Sequence, residues 1–164
     1  MNQNSITTIA NSMGDKITYT LRNDMVFHCV MQHSKASLKL LICSIKNLKP
    51  NEVKDVILAN PIDYNTYNGK EIILDVRVIL NNYEIITVEL QMYTHQEWEK
   101  RVTLYLCRSF DTLDGGDAYN LLKPTTLVII ERNPKKNKEF FSTYKLSNLK
   151  SHKHYTSLLT LNVL

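Results

Sequence analysis

Two runs rich in β-branched residues, 71–80 and 84–92, are separated only by Asn81, Asn82 and Tyr83, and this pattern constrains the fold more tightly than any other part of the 164-residue chain. Runs joined by so short a turn-forming loop predict an antiparallel hairpin. On the first strand Ile72, Leu74, Val76 and Val78 share one face, and Ile73, Asp75, Arg77 and Ile79 the other. On the second, Ile86, Val88, Leu90 and Met92 lie opposite Thr87, Glu89 and Gln91. Each strand thus has one apolar face and one that carries charge. A three-residue loop sets Leu80 against Glu84; counting back, Arg77 faces Thr87, Asp75 faces Glu89 and Ile73 faces Gln91. A loop one residue shorter would send the two carboxylates to opposite sides of the sheet.

The flanking segments predict helices and further strands. A helix can start at Asn23 or Asp24, either of which can cap its first turn, and residues 25–32 contain no breaker. A second helix follows, with Leu38, Leu41, Ile42, Ile45 and Leu48 at helical spacing and Pro50 as its stop. Residues 53–59 predict a short strand. Residues 95–113 predict a third helix through Val102, Leu106, Phe110 and Leu113, ended by Gly115 and Gly116. Residues 125–130 form a β-branched run bounded by Pro124 and Pro134, expected as a buried central strand, and 140–146 and 155–163 are weaker strand candidates. This order predicts an α/β domain, a mixed sheet flanked by helices. Residues 1–22 read as a polar N-terminal arm, with a brief alternation over 17–21, and 23–164 as one domain.

Composition agrees with a single globular core. Hydrophobic residues make up 43% and charged residues 22% of the chain, and 20 lysines and arginines against 16 acids leave a formal charge of +4. This excludes a histone-like tail and an acidic disordered chain. The richest apolar stretch, 38–45, is broken by Lys39 and Ser44 and falls short of the roughly 18 residues a membrane helix needs, so no membrane partner is expected. The first residues show no secretory signal. Cys29, Cys43 and Cys107 are odd in number and far apart, which fits neither a disulfide framework nor a zinc ribbon. The expected setting is the cytoplasm, with each thiol a small core residue.

Charge is unevenly placed. Residues 132–154 hold seven basic side chains (Arg132, Lys135, Lys136, Lys138, Lys145, Lys150, Lys153) against one acid, Glu139, with Phe140, Phe141 and Tyr144 interleaved. Such a stretch suits a phosphate backbone and stacked bases, and equally a solvated edge strand guarded by lysines. His152 and His154 belong to its surface, and His95 to an exposed helix start. Across the hairpin, Asp75 and Glu89 repel each other unless something cationic lies between them. A hard divalent ion with oxygen ligands is one solution, and such an ion polarises a phosphoryl oxygen and activates water, as phosphodiester hydrolysis requires. An ion pair between Asp75 and Arg77 or another base is the other solution.

An aspartate on one strand and Glu-x-Gln on the next, followed by a helix, resembles the PD-(D/E)xK nuclease core. The match extends through Asn23-Asp24-Met25-Val26-Phe27, Leu74-Asp75-Val76, Val88-Glu89-Leu90-Gln91-Met92, Arg101 with Tyr105, Gly116 with Tyr119, and Leu122-Lys123-Pro124 before a strand. Together these resemble the bacterial recombination-promoting nuclease and putative transposase family, a branch of that superfamily. The resemblance implies a restriction-endonuclease-like fold and a Mg²⁺-dependent DNA endonuclease (Mn²⁺ or Ca²⁺ as alternatives), with Asp75 and Glu89 as metal ligands and Gln91 completing the catalytic set. Gln91 takes the place of the superfamily lysine, as is familiar in this branch. Its amide can orient water or contact phosphate but cannot act as a base.

Asp24, Arg101 and Tyr105 are accessory candidates. Asp24 serves equally as a helix cap, and Arg101 can reach a phosphate or neutralise Glu89, with Trp98 on the same helical stripe read mostly as core. Lys135, Lys136, Lys138 and Lys145 are the expected DNA contacts, and a homodimer is the other partner considered. Members of the family usually continue into a C-terminal helical region, which is not expected within these 164 residues. Two other readings share the fold: a catalytically degenerate nucleic-acid binder, and an interaction domain whose carboxylates form an internal ion pair.

Overall fold

The structure is a computed structural model, and it describes residues 19–59, 62–63, 72–73, 75–92, 96–131 and 139–164. Three helices are described, α1 (Asp24–His33), α2 (Lys35–Lys46) and α3 (Trp98–Phe110). The strands are β1 (Val56–Leu58), β2 (Ile62–Asp63), β3 (Ile72–Ile73), β4 (Val76–Leu80), β5 (Glu84–Gln91), β6 (Thr125–Glu131), β7 (Ser142–Lys145) and β8 (Leu159–Val163). Six of them make one mixed sheet in the order β1-β4-β5-β6-β8-β7, while β2 and β3 pair separately. β4 runs antiparallel to its neighbours β1 and β5; β5, β6 and β8 run parallel, and β7 returns antiparallel along β8. The α/β expectation and the central position of β6 both hold.

Local chemistry sets the element ends. Asn23 caps α1, its side chain accepting from the Val26 N–H, and Ser34 caps α2 by accepting from Ser37. The second helix ends at Lys46, ahead of Pro50, because Asn47 takes the left-handed conformation (φ 52°) while Leu48 N–H reaches back to the Cys43 carbonyl. In the hairpin loop Asn81 and Asn82 are both left-handed (φ 50° and 56°), and Tyr83 N–H donates to the Leu80 carbonyl. Asparagine tolerates that region better than other side-chain-bearing residues, so the loop closes with Leu80 opposite Glu84, the expected register.

The sheet is covered on both sides. Phe27 and Met31 of α1 and Leu38, Ile42 and Ile45 of α2 pack on Val76, Val78, Ile86, Val88 and Val128. On the opposite side Val102 packs on Leu127 and Ile129, joined by half-buried Trp98, Tyr105, Leu106, Leu161 and Val163. Full burial of a side chain such as Ile42 contributes about 2 kcal/mol. The period-2 pattern of β5 therefore divides it: Ile86 and Val88 face α1 and α2, whereas Thr87 faces α3, its hydroxyl bonding that of Ser109.

Some expectations need correction. The strand expected over 71–80 is two strands, β3 and β4, with a bend at Asp75. Described residues 19–21 are not in a strand. The helix expected over 95–113 is Trp98–Phe110; Asp111 leaves helical geometry at ψ 86°, before the glycine pair is reached. Only Cys43 is buried, whereas Cys29 and Cys107 are exposed. Cys29 lies two residues from both Phe27 and Met31, so it points about 200° away from each on the helix.

Candidate active site

The site lies where β4 begins and β5 approaches its end. Val76 pairs with Val88, so Asp75 and Glu89 are the next positions along the hairpin, one just before β4 and the other inside β5. The Asp75 N–H donates to Glu89 Oε1 at 2.9 Å, and Asp75 Oδ2 accepts from the Leu90 N–H at 2.6 Å. Each acid therefore binds backbone of the opposite segment, and the bend at Asp75 is held by its own carboxylate.

Helix α1 adds two side chains. With Asn23 as the cap, Asp24 is the first helical residue and lies one turn before His28. His28 Nε2 is 3.3 Å from Asp75 Oδ1 and 3.9 Å from Asp24 Oδ1. Ligand atoms of Asp24, His28 and Asp75 all lie within 4.8 Å of one another. Asp24 is exposed, while His28 and Asp75 are half-buried, so the group opens to solvent on the Asp24 side.

Electrostatics at this spot are strained. Glu89 is only 5% exposed. Burial first, then the negative charge of Asp75, push its carboxyl up to about 8, against the lowering effects of the Asp75 N–H and of Arg101. Asp75 is also raised above the ordinary carboxylate range, mainly by burial, with the Leu90 hydrogen bond opposing and Asp24 adding repulsion. A buried and a half-buried acid that repel each other with little positive charge nearby are what a divalent cation relieves, and the oxygen-rich donor set with one imidazole fits such an ion.

Arg101 of α3 supplies the nearby positive charge. Its guanidinium carbon lies 4.9 Å from the centre of the Tyr105 ring, one helical turn on. Its Nε is buried and has no hydrogen-bond partner among the described residues. Gln91 is half-buried at the end of β5 and pairs in register with Glu131 of β6. Trp98 Nε1–H donates to Glu131 Oε1 at 2.6 Å, so Trp98 packs as core and also ties α3 to the end of β6.

Of the four expected DNA contacts, Lys145 lies among the described residues. Lys135, Lys136 and Lys138 lie outside the described residues. Lys145 is exposed on the edge strand β7, where it pairs with Thr160, which in turn pairs with Thr126 and so with Ile86. That is three residues before Glu89 along β5, or roughly 10 Å, and three strand spacings across, roughly 14 Å. Ser142, at the other end of β7, is level with Glu89 through Val163 and Ile129.

The family model for PD-(D/E)XK nuclease family transposases matches residues 21–164. The chain belongs to this family. No match was found among curated proteins or among solved structures. In this member of the family the six-stranded mixed sheet with its helices is consistent with the PD-(D/E)XK nuclease core, and the family resemblance read from the sequence holds. A nuclease family implies DNA as the substrate. Among the described residues no helix is long and apolar enough to cross a membrane.

Sequence reasoning brought Asp75 and Glu89 together correctly and pointed to Asp24, Gln91 and Arg101. It passed over His28 and Glu131. The spacing of Asp24 and His28, two possible ligands one helical turn apart, was the signal for the first. For Glu131 the sequence carried no signal, because its position follows from the parallel pairing of β5 with β6.

Proposed function

We propose that this PD-(D/E)XK nuclease family transposase is a divalent-metal-dependent DNA endonuclease whose chemistry is centred on Asp75 and Glu89. The observation that carries this reading is the juxtaposition of the two acids across the hairpin, the Asp75 N–H on Glu89 Oε1 and the Leu90 N–H on Asp75 Oδ2, with the pKa of each raised by burial and nearby negative charge. Asp75 and Glu89 would hold the ion, with Mg²⁺ as the first candidate and Asp24 close by. When bound, the ion supplies Lewis-acid activation of the scissile phosphate and of the attacking water.

The remaining roles belong to the chain's own groups. The Leu90 and Asp75 N–H groups fix both acids, so they are oriented before any substrate arrives. Gln91, beside them, is suited to orient water or a phosphate oxygen through its amide and carries no proton-accepting nitrogen. Arg101, stacked on Tyr105 and with a buried Nε that has no partner among the described residues, offsets Glu89's charge and can turn towards a phosphate. Lys135, Lys136, Lys138 and Lys145 are assigned to the phosphate backbone.

Nicking of supercoiled plasmid tests this directly. Activity that requires Mg²⁺ or Mn²⁺ and disappears in Asp75→Ala and Glu89→Ala supports the proposal. The glutamine at position 91 favours a second reading, a binder without catalysis. Salt-sensitive DNA binding with no nicking, unchanged by those two substitutions, would establish that reading instead.

A further inference from the structure

We propose that His28 is a direct ligand in the metal site and shifts its cation preference from Mg²⁺ towards Mn²⁺. This inference rests on the metal-dependent reading of the same site.

The imidazole is placed for ligation. His28 Nε2 lies between the two aspartates, 3.3 Å from Asp75 Oδ1 and 3.9 Å from Asp24 Oδ1. Adjacent donors around an octahedral ion with bonds of about 2.1 Å stand roughly 3 Å apart, so the triangle, with no side above 4.8 Å, closes on one ion when Asp24, the exposed member, moves inward. Two of the three donors share helix α1 and the third is fixed by the Leu90 N–H, so the geometry is largely built before an ion binds. On its other side the His28 ring meets Phe27 edge-on, with centroids 6.5 Å apart, which restrains its rotation.

Ligand chemistry then sets the preference. Mg²⁺ demands an oxygen shell and gives up water reluctantly, so an imidazole gains it little. Borderline first-row ions accept nitrogen as well as carboxylate oxygen, and Mn²⁺ suits a set of two or three carboxylates with one imidazole. An all-carboxylate site would show a smaller preference between the two ions.

The full chain, loaded with Mn²⁺ and followed by electron paramagnetic resonance, provides the test. Loss of the free-ion signal gives Mn²⁺ affinity, competition gives Mg²⁺ affinity, and electron spin echo modulation reports nitrogen bound to Mn²⁺. The wild-type chain is expected to show nitrogen modulation. In His28→Asn the modulation should vanish and Mn²⁺ affinity should fall by about 10-fold or more, while Mg²⁺ affinity changes by less than about threefold. Absence of nitrogen modulation in the wild-type protein, its persistence in His28→Asn, or equal losses for both ions would overturn the proposal and leave the nuclease reading intact. Failure of the wild-type chain to bind either ion would overturn both. Asp75→Asn separates the two: it should weaken both ions alike if Asp75 anchors the site.

Discussion

Strand β5 carries two shielded glutamates five residues apart, and their surroundings differ in kind. Glu84, at the start of the strand, accepts from Lys46 Nζ at 2.7 Å and from the Thr126 hydroxyl at 2.5 Å. Its charge is matched by an ammonium brought in by α2, and it ties helix to sheet. Glu89 accepts from a backbone N–H and faces the charges of Asp75 and Asp24, with Arg101 alone lowering its pKa from a side chain. One carboxylate is compensated within the fold, while the other is left short of positive charge beside a half-exposed histidine and an exposed aspartate. The contrast teaches that burial of an acid is not itself a functional sign. The imbalance around it is.

Activity gives the widest separation between the two. Glu89→Gln should lower plasmid nicking by at least about 100-fold, whereas Glu84→Gln should leave it within about twofold, measured under identical metal concentrations. Equal losses in the two variants would erase the distinction.

Stability should reverse the order. Lys46→Met leaves Glu84 partly shielded and without its ammonium, and should cost about 2 kcal/mol in urea unfolding at pH 7, a value reduced for the pair's partial exposure. Mg²⁺ affinity should not change in that variant.

Glu89 carries a pH dependence of its own. Its folded pKa of about 8 lies above the ordinary 4.5, so between those values the folded chain holds a proton that the unfolded chain has released. Without metal, its contribution to stability is complete below pH 4.5, declines as pH rises, and is gone above about 8, with a slope of at most about 1.4 kcal/mol per pH unit. Unfolding of the chelator-treated protein should show this decline and Glu89→Gln should flatten it. Glu84→Gln should preserve it. Since a bound cation requires the ionised acid, metal affinity should rise over the same window.

The smallest effect concerns Arg101. Replacing it with leucine removes a charge that lowers the Glu89 pKa, so the midpoint of that pH-dependent decline should move upward by about half a unit to one unit. An unmoved midpoint would mean that the guanidinium serves only its stacking on Tyr105.

Much of this site was legible because it depends on short-range rules. A hairpin's register follows from loop length and alternation, so the sequence alone places residues 75 and 89 across from each other, in line with the Val76–Val88 pair. The same alternation divided β5 between two layers. Less legible were the break at Asp75, which arises from its side chain capturing the Leu90 N–H, and the exposure of Cys29 and Cys107, which depends on which helical face meets the sheet. Strand order, which no local spacing announces, sets Lys145 on the edge strand of the sheet.

The chain's own pattern thus determined the mixed α/β architecture, the pairing of two acids and the caps that start α1 and α2, because periodicity and turn chemistry act over a few residues. Only tertiary packing decided that α1 lays Asp24 and His28 beside Asp75, that Arg101 lowers the Glu89 pKa from α3, and that, among the described residues, Glu84 pairs with an ammonium and Glu89 does not. Those outcomes depend on how helices cross a sheet, and buried apolar area fixes that crossing between residues that no local spacing connects.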